Sequence, residues 1–89
     1  MWVFNEQYKL REENDGNGLM VNTKNGSVFA LNQVAMCILS FFEQRKQCTL
    51  DEVISNTCTN FQDTPRAHIS KDVETFISDS ENDGYLIRL

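Results

Sequence analysis

Few residues of this 89-residue chain are of types that do chemistry: three cysteines, Cys37, Cys48 and Cys58, and one histidine, His68. No two cysteines form a Cys-x-x-Cys pair, and an odd number leaves at least one thiol unpaired, so reduced cysteines that pack or lie exposed are expected. Cys37 falls inside an apolar run and Cys58 on a helical stripe, where a small, weakly polar side chain is ordinary core material. His68 has no cysteine or carboxylate pattern at metal-ligand spacing around it and reads as a surface residue. A nucleophile needs a base and a third group to orient that base. With one histidine and no glycine-rich phosphate loop, no such constellation can be assembled, and the expectation is a protein with no catalytic residue, no metal and no cofactor.

Charge narrows the remaining classes. The net charge of −5 and the pI near 4.6 repel a phosphate backbone, whose binding depends on clustered Lys and Arg, so nucleic acid is not an expected partner. Glu12, Glu13 and Asp15, and later Asp72, Glu74, Asp79, Glu81 and Asp83, form either a solvated surface or a face for a basic partner; scattered carboxylates commonly serve solubility. No apolar run approaches the roughly 20 residues of a membrane span. Met1-Trp2-Val3-Phe4 has no basic segment followed by a long apolar core, so no secretory signal is read and a cytoplasmic location is expected. Hydrophobic content of 40% without repeats or low-complexity runs predicts one globular domain over residues 1–89.

The elements are arranged around Gly26 to Phe42. Asn25-Gly26 is a strong hairpin signal and predicts a strand over Ser27–Leu31. Asn32 can cap a following helix, and eight of the nine residues from Val34 to Phe42 are apolar, which requires a centrally buried helix. Before this lie a strand from Tyr8 to Glu13, the turn cluster Asn14–Gly18, and a strand over Leu19–Thr23, giving a three-stranded antiparallel meander. A two-residue Asn25-Gly26 loop sets Thr23 against Val28, Val21 against Ala30 and Met20 against Leu31. Leu19, Val21, Val28 and Ala30 then share one face, and Met20, Phe29 and Leu31 the other. Neither face is polar, as a half-exposed antiparallel sheet would be, so part of the second face is expected to be covered.

After a polar connection, Gln44–Gln47, Thr49-Leu50-Asp51-Glu52 is a capping box that opens a second helix. Leu50, Val53, Ile54, Thr57 and Cys58 form its stripe, and Phe61 ends it. Thr64-Pro65 predicts a capping hydroxyl with proline at the first helical position of a third helix running to about Asn82. Its stripe is Ile69, Val73, Phe76 and Ile77, with Gly84 as C-terminal cap. Tyr85–Leu89 is an apolar tail that packs across the helices or pairs as a strand. The order is βββαααβ, an α+β chain.

This order, with Val28-Phe29-Ala30-Leu31-Asn32 leading into an apolar helix, resembles the PqqD-like recognition elements of ribosomal peptide natural-product (RiPP) pathways. The resemblance runs from Tyr8–Glu13 and Gly18–Asn22 through Thr49–Ile54 and Phe61 to Asp72-Val73, Phe76-Ile77 and Gly84-Tyr85-Leu86. It departs from the family's usual pattern at Glu74 and Ser80, where leucine-like residues are common, and at Gln44–Cys48, which replaces a glycine-rich or acidic turn. Such domains are winged-helix-like, a three-stranded antiparallel sheet followed by three helices, and are not enzymes. They bind the leader of a precursor peptide as a further strand beside the third strand, with the third helix as the other wall, a case of strand addition. Carried onto this chain, the resemblance implies a peptide site at Ser27, Val28, Phe29, Ala30, Leu31, Ile69, Asp72, Val73, Phe76 and Ile77. As a separate chain it is most similar to the stand-alone recognition proteins of lasso peptide systems, which present the leader to a leader peptidase. Similar stand-alone forms serve pyrroloquinoline quinone and radical SAM peptide-modifying enzymes.

Two other classes compete. A winged-helix DNA-binding regulator would carry clustered Lys and Arg at the start of its recognition helix, whereas Arg66 and Lys71 are outnumbered by five acidic residues. A homodimer through the same sheet edge is the third reading, since an unpaired edge is a template for any strand.

Overall fold

The computed structural model describes residues 1–89 and contains two three-stranded antiparallel sheets and three helices. The larger sheet is the expected meander: β2 (Tyr8–Glu12), β3 (Gly18–Asn22) and β4 (Val28–Leu31), in that order. Its last strand runs through Asn32 into α1 (Gln33–Arg45), and the Asn32 side chain accepts from the Ala35 N–H at 2.8 Å, as a cap should. Ala35, Met36, Ile38, Leu39 and Phe42 of α1 are buried, which accounts for its nearly continuous apolar sequence.

The hairpin into β4 is wider than the sequence suggested. Met20 pairs with Phe29 and Val21 with Val28, a register slid by two residues from the expected one. The Asn22 N–H donates to the Ser27 carbonyl and the Gly26 N–H to the Asn22 carbonyl, so the loop holds four residues rather than two. Only Gly26 has a positive φ, +75°, and a type I′ turn would need one at Asn25 as well. The Asn22 side chain explains the difference: its Oδ1 accepts from the Lys24 N–H and from Gln7 Nε2, fixing the start of a longer loop. A slip of two leaves each side chain on its expected face. Met20 is fully buried, while Leu19, Val21, Val28 and Ala30 lie on the outer face.

Thr49 and Glu52 form the capping box and open α2 (Leu50–Asn60), which Phe61 terminates. At α3 (Arg66–Asp83) the start differs from expectation. Pro65 is the N-cap itself, with ψ 141°, and the Thr64 hydroxyl makes no capping bond. The helix ends on Gly84, whose φ of +87° lets the Gly84 and Tyr85 N–H groups fold back to the Ser80 carbonyl.

The smaller sheet was not read from the sequence. β1 (Trp2–Phe4) lies between β5 (Gln47–Cys48) and β6 (Leu86–Arg88), so the expected polar connection at Gln47 is partly strand, and the apolar tail pairs as a strand. The two sheets and three helices share one core of thirteen buried residues, which includes Trp2, Met20, Phe42, Val53, Val73 and Leu86. No helix is long and apolar enough to cross a membrane.

Candidate functional site: an open sheet edge

β4 is an edge strand, and its hydrogen bonding can be followed residue by residue. Because the Asn22 N–H bonds to Ser27, the antiparallel alternation makes Met20–Phe29 and Gly18–Leu31 hydrogen-bonded pairs as well. Phe29 and Leu31 therefore spend their backbone groups on β3. Val28 and Ala30 direct theirs to the open edge, where no further strand pairs. That edge carries no Lys, Asp, Glu or Pro between Ser27 and Asn32, the residues with which proteins commonly block an unpaired strand.

The side chains divide in the opposite sense. Val28, 58% exposed, and Ala30 stand on the outer face of the sheet, whereas Phe29 and Leu31 stand on the opposite face, that of the buried Met20. Phe29 is 38% exposed, and its ring lies 6.0 Å from that of Tyr85, which in turn meets Tyr8 edge-on at 5.1 Å. Leu31 and Phe76 are half-buried and rest on the core.

On α3 the structure places the expected residues at different depths. Ile69, Val73 and Ile77 are buried and hold the helix to the core, Phe76 is half-buried, and Asp72 is exposed. Ile69, Asp72 and Val73 come together at the N-terminal end of the helix around a cavity of about 180 Å³, whose other walls are Val34, Thr57, Phe61, Thr64 and His68. His68 Nε2 and Asp72 Oδ2 sit 3.5 Å apart at its rim, one turn from each other on α3. Ser27 is half-buried at the turn, away from this cavity. Val34, Phe61 and Tyr85 were not among the expected site residues. Each reads in sequence as core or helix terminus, and only the packing reveals that Val34 and Phe61 wall this cavity while Tyr85 packs on Phe29.

The reactive side chains are dispersed. Nowhere do three His, Cys, Asp or Glu side chains converge as a metal site would require. Cys37 receives a bond from Asn56 Nδ2, and burial pushes its thiol pKa up; burial does the same to Cys48, which is fully enclosed. A thiol so shifted is a poor nucleophile near neutral pH.

Comparison with known proteins bears on this site. No curated protein sequence matches the chain significantly. Among solved structures, one of TbiB1 in complex with the TbiA(beta) leader peptide superposes with a TM-score of 0.76 at 18% identity, covering 98% of this chain and 96% of that one, so the two share a fold. The family model described as coenzyme PQQ synthesis protein D (PqqD) matches residues 17–86. Running from the turn before β3 through β4 and all three helices into β6, that match shows that the chain belongs to the PqqD family.

Proposed function

We propose that this protein is a non-catalytic leader-peptide-binding protein of a RiPP pathway, of the stand-alone kind used in lasso peptide biosynthesis. It binds the leader of a precursor peptide as a fourth strand beside β4 and against α3, and presents it to the leader peptidase. The observation that carries the reading is the free edge at Val28 and Ala30, unblocked by charge or proline, in a chain of the PqqD family. The structural neighbour TbiB1, whose fold this chain shares, was solved with a leader peptide bound, which supports the same use of this fold here.

The energetics set what the side chains must do. Four to six new backbone hydrogen bonds, each contributing about 0.5 to 1.5 kcal/mol net, are offset by the ordering of a flexible peptide. Reaching a Kd of about 1 μM, near −8 kcal/mol, then requires apolar anchors. Phe76 is the large apolar side chain of α3 that is still partly open. The test is calorimetric titration with the leader encoded by the neighbouring precursor gene. Phe76→Ala is expected to weaken binding more than tenfold while the variant stays folded; unchanged affinity would remove α3 as a wall of the site.

A further inference from the structure

The larger sheet is covered on one side only. Met36 of α1 packs against Gly18, on the side where Tyr8, Met20 and Asn22 are buried, and α1 alone among the other elements makes more than marginal contact with this sheet. The pairing register fixes what the other side carries. Lys9 lies beside Val21 and Val21 beside Val28; Arg11 lies beside Leu19 and Leu19 beside Ala30. Each of these six alternates with an inward residue, so all share the outer face, in two rows that run from a cation on β2 across two aliphatic side chains to the open edge. An uncovered antiparallel face ordinarily carries polar residues. Here β3 and β4 place Leu19, Val21, Val28 and Ala30 there, Val28 and Ala30 exposed and Leu19 and Val21 half-buried. A contiguous exposed apolar surface with a polar rim marks an interaction site. Lys9 and Arg11 are exposed and have no carboxylate within 4.0 Å. Glu13 and Asp15 stand in the turn that walls a shallow hollow at the far end of the face, beside Leu19 and Ala30.

We infer that this outer face docks the leader peptidase, which meets it with an apolar surface bordered by carboxylates opposite Lys9 and Arg11 and touches the bound leader at the same time. The inference rests on the peptide-binding reading above and adds to it the surface through which the leader is handed on. Two features select this occupant. The first is continuity. A strand added beside β4 continues the alternation, so every second side chain of the leader joins the outer face next to Val28 and Ala30. Strands lie about 4.8 Å apart, which sets β2 roughly 14 Å from the leader, three spacings away. A standard interface of about 800 Å² per partner, roughly 30 Å across, spans both. The second feature is charge. The chain carries −5 as a whole, so two copies repel each other, yet the β2 margin of this face is positive. A partner bearing carboxylates is drawn to that margin, and rim cations of this kind set encounter and register more than raw affinity. Two cations beside four aliphatic side chains are too few for a phosphate backbone, whose binding grows with each phosphate neutralised.

The test uses the full-length chain, saturated with the leader of the neighbouring precursor gene, and the leader peptidase encoded beside it, inactivated so that the leader stays whole. Lys9→Glu with Arg11→Glu should weaken peptidase binding by more than about tenfold in biolayer interferometry, since two carboxylates then face the partner's own. Leader affinity, read by calorimetry without the peptidase, should be unchanged, because β2 is the opposite edge of the sheet from β4. Arg66→Glu with Lys71→Glu, on α3, alters net charge equally and should leave peptidase affinity as it was. In the unaltered complex a zero-length carbodiimide should join Lys9 Nζ to a peptidase Asp or Glu, a readout that does not depend on how any variant folds. Peptidase affinity indifferent to the β2 reversal, equal losses from both reversals, or no crosslink at Lys9 would overturn the inference while leaving the peptide site in place. Self-association of the chain that the β2 reversal abolishes would assign the face to a second copy and overturn it as well. A leader that fails to bind the unaltered chain would overturn the peptide reading itself.

Discussion

Ile38 and Phe42 have no solvent exposure and sit where α1 meets both sheets, so each holds more of the fold together than its position in a helix alone implies. Truncating either to alanine leaves a cavity that close-packed neighbours fill only partly. Ile38→Ala and Phe42→Ala should each lower unfolding free energy by about 2 to 5 kcal/mol in urea denaturation. Glu81 makes a prediction of a different kind. The bonds from Trp2 and then Arg88 hold its carboxyl below the usual range. A carboxylate with a lowered folded pKa contributes stability above its unfolded value, near 4.3, and that contribution disappears as pH falls through the folded value. The melting-temperature gap between the parent and Glu81→Gln should therefore be full at neutral pH and close below about pH 4; a gap constant across that range would mean the carboxylate charge is irrelevant to the tie between α3 and β6.

Among the elements, β4 decides the account. Its two kinds of residue predict opposite responses to proline, which removes an N–H and fixes φ. At Val28 the N–H points to the open edge, and edge strands tolerate proline there, so Val28→Pro should fold and lose leader binding in the same titration. At Phe29 the N–H belongs to the ladder with Met20, so Phe29→Pro should lose stability first, visible as a lower urea midpoint. What the sequence revealed of these elements tracks how local their causes are. The Asn32 cap, the Thr49–Glu52 box and the Gly84 terminus each act within a few residues, and all are present. The β4 register depended on how the Asn22 side chain is used, which no spacing rule carries. β1 and β5 were illegible because strands of three and two residues have no period to detect, and β1 is made a strand by partners at Gln47–Cys48 and Leu86–Arg88. The depth ordering on α3, with Val73 and Ile77 sealed and Phe76 half-buried, likewise depends on what the small sheet and α2 cover.

At the scale of the whole molecule, the small sheet fixes where α3 stands. β6 follows α3 directly and pairs with β1, while Asn5 donates through Nδ2 to the Gly84 carbonyl at 2.9 Å and through its N–H to Tyr85 at 2.9 Å. Tyr85, held in this way, packs its ring against Tyr8 of β2 and Phe29 of β4, so one aromatic chain ties the end of α3 to the larger sheet. That tie is in place before any peptide arrives, which reduces the ordering cost on the protein's side of the proposed interaction. Amide hydrogen exchange, read residue by residue with and without the leader peptide, tests strand addition most directly. Exchange at Val28 and Ala30 should slow strongly on binding, while Phe29, already bonded to β3, changes little. Binding that leaves Val28 and Ala30 exchanging at their free rates would contradict it.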